Sequence, residues 1–174
     1  PLGVAVDVDG QGTCLACESL SRATDREGRP IEFLLADFLG VEKVIWLPEG
    51  RVRRRARFLR PGLVLAETDP DVLASLATTD ARGRKLEVVT VPVPKRRDSS
   101  GLPVSYVDCV VADRVVVLPA FEEGRDEAAL AGVTSALPDL RVFSFPAMDH
   151  AHGRCSLSGL VLSQPRGCPS KPAS

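Results

Sequence analysis

The chain has 174 residues, 44% of them hydrophobic and 26% charged, with a formal net charge of −1. That length supports one domain with a core of its own, since domains commonly run about 100–150 residues. A near-neutral balance offers no global field for nucleic acid or an anionic membrane, no apolar run approaches the roughly 20 residues that span a bilayer, and no secretory leader is visible.

Val4 to Leu20 reads as a β-hairpin. Val4, Val6 and Val8 alternate with polar or small residues, Asp9-Gly10 turns, and Thr13 to Cys17 returns. Gly10-Gln11-Gly12 lacks the third glycine, the lysine and the following helix of a phosphate loop, so it reads as a plain turn. Cys14 and Cys17 form a CxxC. Residues i and i+3 of a strand point to opposite faces, and no second pair stands at zinc-site spacing, so structural thiols are the reading and no metal is expected. The five cysteines (Cys14, Cys17, Cys109, Cys155, Cys168) are odd in number and scattered, which fits reduced thiols in the cytoplasm better than a disulfide framework.

Ile31, Leu34, Leu35 and Phe38 make one helical stripe over Ile31 to Leu39, which Gly40 stops. A strand, Val44 to Leu47, ends at Pro48 and Gly50. Another apolar run, Leu63 to Leu65, opens at the turn pair Pro61-Gly62. Between them stand six arginines in ten residues: Arg51, Arg53, Arg54, Arg55, Arg57 and Arg60. Arg51, Arg53 and Arg55 alternate, so on a strand they would share one face fit for an anion or RNA phosphates. No aromatic residue stands among those three, and a solvated edge or an acidic partner surface is the plainer reading.

Asp69-Pro70 predicts a helix start, an N-cap aspartate with proline in the first turn, and Val72, Leu73 and Leu76 give that helix an apolar face. Asp80 to Gly83 turns into a strand over Leu86 to Val91, closed by Pro92 and Pro94. Lys95 to Pro103 is an exposed loop. Val104 to Ala112 and Val115 to Leu118 are predicted as a second hairpin around Asp113-Arg114, its strands buried on both faces. A helix over Arg125 to Leu137, a strand over Leu140 to Phe145 and a last strand over Leu157 to Leu162 complete the pattern, before the tail from Cys168. The recurring order is strand pair, helix, strand.

Several phrases, in this order, resemble the agmatine deiminase and bacterial peptidyl-arginine deiminase family. They are the hairpin Val6 to Leu15, similar to the family's HVDGEGTCL; WLPEG at Trp46 to Gly50; ARFLRPGLVL at Ala56 to Leu65; and SYVDCVVADRVVVLPAF at Ser105 to Phe121, followed by RVFSF at Arg141 to Phe145. The resemblance runs from about Val4 to Pro165, giving a segment 1–165 and a disordered tail 166–174. It implies an α/β fold, a partial α/β propeller (pentein) of about three ββαβ-type modules from a pseudo-fivefold ring, the rest lying before Pro1. An incomplete ring exposes sheet edges and apolar faces, so a homo-oligomer or pairing with a complete homologue is expected.

The chemistry the resemblance implies is hydrolysis of a guanidine group to a ureido group and ammonia, on the putrescine pathway and without a cofactor. A cysteine thiolate attacks the guanidinium carbon, a histidine moves protons, and carboxylates pair with the cation. The family's Gly-His-x-Asp falls on Gly50-Arg51-Val52-Arg53, two guanidinium groups that would repel a third. Its His-Cys-x-Thr-Gln-Gln-x-Pro, laid without a gap on Ser163-Gln164-Pro165, puts the cysteine on Gly159 and the histidine on Ser158. Allowing a four-residue insertion instead makes Cys155 the nucleophile and His152 its displaced neighbour. His150 and His152, beside Asp149, are otherwise loop histidines or a small metal cluster. Three readings stay open: a degenerate deiminase-like segment, inactive alone; a guanidine deiminase using Cys155 with residues from another chain; and an anion- or nucleic-acid-binding module through Arg51 to Arg60.

Overall fold

A computed structural model of the chain describes residues 6–48, 55–97, 104–112, 114–121 and 124–147. Within them one pattern occurs three times: two antiparallel strands, a helix, and a third strand that returns parallel to the second. In the first module β1 (Val6–Val8) pairs with β2 (Thr13–Cys17), α1 (Ile31–Leu39) crosses over, and β3 (Lys43–Leu47) lies beside β2. The second is β4 (Ala56–Arg60), β5 (Leu63–Glu67), α2 (Pro70–Leu76) and β6 (Glu87–Val91). The third is β7 (Val110–Val111), β8 (Val115–Ala120), α3 (Asp126–Ala136) and β9 (Arg141–Pro146). Three small sheets result, each with its middle strand second in sequence. This is the expected partial propeller of ββαβ modules. No helix among the described residues is long and apolar enough to cross a membrane.

Local chemistry sets the element ends. Gly40 takes φ 64°, the left-handed conformation that costs glycine least, and its N–H caps the last turn of α1 on Ala36 O. Asp69 Oδ1 accepts the N–H groups of Asp71 and Val72 at 3.1 and 3.2 Å, and Pro70 follows it, so α2 starts where the sequence predicts.

One loop design occurs twice. In Thr24 to Ile31 and in Thr79 to Leu86 the order is Thr-Asp-x-x-Gly-Arg-x-apolar. Asp25 Oδ1 accepts from the amides of Glu27 and Arg29, each at 2.9 Å, and Asp80 Oδ1 from those of Arg82 and Arg84, also 2.9 Å. The second carboxylate oxygen takes the arginine Nε at 2.6 Å in both loops. One copy sits before a helix and the other before a strand, so the loop is a local solution independent of its place in the module.

Three clusters make the core. The first holds Val6, Cys14, Ala16, Ile31, Leu35 and Val41. The second runs between the first two modules and includes Leu15, Ile45, Leu47, Phe58, Val64, Val72 and Leu76. The third joins the second and third modules through Leu65, Val91, Tyr106, Val116, Phe121, Ala129 and Val133, among others. Each of these larger side chains contributes about 1.5–3 kcal/mol by leaving water.

The structure corrects several expectations. Phe38, expected on the buried stripe of α1, is 75% exposed, and Val8, expected on the inner face of its hairpin, is exposed too; Asp7 between the valines is buried. A period-2 or period-3.6 count assigns a face but cannot see whether a neighbour lies over it. β4 was not predicted as a strand of its own, because its two arginines disguise an apolar strand. Only Val110 and Val111 pair with β8 in the expected hairpin, and residues 104–109 form a fully buried irregular segment instead. It is fixed by polar contacts: Tyr106 Oη donates to Asp126 Oδ1 at 2.6 Å, and Ser105 Oγ accepts the N–H of Val107 at 3.2 Å. The Leu157–Leu162 strand, the tail, Gly50 and most of the Lys95–Pro103 loop lie outside the described residues.

Candidate functional site

The first strands of the modules approach one another, and polar side chains reach across. Asp7 sits in the middle of β1, buried between Val6 and Val8, and its Oδ2 accepts the backbone N–H of Phe58 in β4 at 2.8 Å. Arg57, the neighbour of Phe58, sends Nη1 the other way and donates to the backbone carbonyl of Cys109, next to β7. A carboxylate from the first module and a guanidinium from the second therefore link three modules through main-chain groups.

Two buried thiols line this centre. Burial first, and then the negative charge of Asp7, pushes the Cys14 thiol up to about 12. Cys109 is fully buried. Desolvation raises it most, the Arg57 charge opposes that rise, and Asp108 and Asp7 add to it, leaving the thiol at about 12. Both are protonated at neutral pH, and a protonated, desolvated thiol is a poor nucleophile and a poor metal ligand. Cys17 packs in a different cluster from Cys14, on the opposite face of β2 as the strand spacing requires. No group of three metal-capable side chains occurs among the described residues.

Cys155, His152, His150, Arg51 and Arg53 lie outside the described residues. Arg55 is described, just before β4, and its Nη2 pairs with Asp69 Oδ2 at 2.6 Å. Asp69 thus caps α2 with one oxygen and holds Arg55 with the other.

Sequence reasoning missed Asp7, Arg57 and Cys109 as a group. Its available signal was an aspartate at the polar phase of a three-residue strand and an arginine between Ala56 and Phe58 in an otherwise apolar one. Periodicity reads such residues as solvent-facing; only the approach of a third strand gives them backbone partners.

Known proteins place this architecture. The profile of Porphyromonas-type peptidyl-arginine deiminases matches residues 3–165. A Streptomyces avermitilis protein named "Putative agmatine deiminase" is 31% identical over 94% of this chain, which spans 57% of that relative. The agmatine deiminase of Enterococcus faecalis superposes with a TM-score of 0.78 at 25% identity, over 90% of this chain and 55% of its own. A Porphyromonas gingivalis protein named "Putative Arginine Deiminase" shares the fold, with a TM-score of 0.79 at 22% identity over 95% of this chain and 56% of its own. The chain belongs to the agmatine and Porphyromonas-type peptidyl-arginine deiminase family of pentein proteins.

Proposed function

We propose that this chain is a deiminase-family segment that does not hydrolyse guanidine groups by itself and serves as a structural or interacting unit. Arg51 and Arg53, standing where the family carries its histidine and aspartate, support this most directly. Guanidine hydrolysis needs a nucleophile beside a proton carrier and carboxylates open to a cation, and two guanidinium groups in that place would repel a third. The three described cysteines are free thiols, in keeping with a cytoplasmic protein. A place in putrescine formation goes with hydrolytic activity and is not part of this reading.

Ammonia release from agmatine, measured for the purified chain and for Cys155→Ser, tests the proposal. Neither protein is expected to release ammonia. Release by the parent chain that the substitution abolishes would instead assign hydrolysis to Cys155 and its loop.

A further inference from the structure

We draw no further inference here: the strongest candidate, the acidic pair Asp7 and Asp9 beside the Cys14 thiol at the β1–β2 turn, where Asp9 Oδ2 is buried without a hydrogen-bond partner among the described residues, has no third metal-capable side chain there and no second feature that points to a ligand.

Discussion

The junction between the first and second modules is clamped by an acid, and that between the second and third by a base. Asp7 accepts a backbone N–H from Phe58, whereas Arg57 donates to the backbone carbonyl of Cys109. The two clamps start from adjacent residues of β4 and complete opposite ends of the hydrogen-bond inventory. They are not equivalent. A buried amide has one proton and no substitute when its acceptor goes, whereas a carbonyl has two lone pairs and tolerates a missing partner better. Asp7 is buried, and Arg57 is only partly so. The first junction also carries a seam of three polar contacts: Ala81 N–H donates to Thr13 Oγ1 at 3.0 Å, Arg84 Nη2 to Gln11 Oε1 at 2.6 Å, and Arg82 pairs with Glu42 at 3.1 Å. At the second, Arg125 Nη1 donates to the carbonyl of Val93.

The comparison is most directly broken by exchanging its two clamps. Asp7→Ala strands the Phe58 amide and should cost about 2–3 kcal/mol in urea unfolding. Arg57→Met keeps the side-chain length and should cost less, about 1.5 kcal/mol, because a carbonyl with two lone pairs tolerates a missing partner better than an amide does. The reverse order would show that charge, and not the orphaned amide, governs the centre.

Thr13→Val isolates the polar seam. It removes the acceptor of the Ala81 amide while preserving shape, and a loss of about 1 kcal/mol is expected. No measurable loss would mean that the seam follows from the packing of α2 on β3 and contributes nothing of its own.

The twin loops supply a finer control through pH. For Asp80 burial alone would raise the carboxyl, but the amide and guanidinium of Arg84 and the amide of Arg82 outweigh it and hold it below its ordinary 3.8. Asp25 is lowered as well, against the same desolvation, by Arg29 and Glu27. A depressed folded value stabilises above the ordinary range and is lost as pH falls through the folded value. Acid unfolding should therefore steepen below about pH 4. Asp80→Asn should flatten that limb more than Asp25→Asn, since the Asp80 side chain is fully covered and its loop docks on the first module.

At the alkaline end the signs invert. Cys14 and Cys109 rise from 9.0 to about 12, so the folded state binds protons that the unfolded state releases. Their contribution is complete below pH 9 and declines as pH rises toward 12. Neither thiol should react with a disulfide reagent at pH 8 before unfolding, and prompt labelling of Cys109 would contradict the burial of this centre.

The sequence by itself determined the order of elements and much of their punctuation. Gly40 ends a helix because it reaches φ 64° cheaply, and Asp69-Pro70 starts one because its carboxylate meets free amides. These contacts lie within a few residues of one another. The framework phrases, WLPEG and ARFLRPGLVL among them, identified the pentein family for the same reason: such words encode strands and turns that fold locally. The faces were another matter. Phe38 obeys the helical stripe yet is exposed, Asp7 breaks the strand alternation in favour of valine yet is buried, and Phe143 of β9 is open where Ile45, at the same register position of β3, is covered. Each outcome depends on which module lies alongside, a relation between residues far apart in sequence. The chain wrote its modules locally; only their packing decided which polar groups became clamps and which apolar faces were left open.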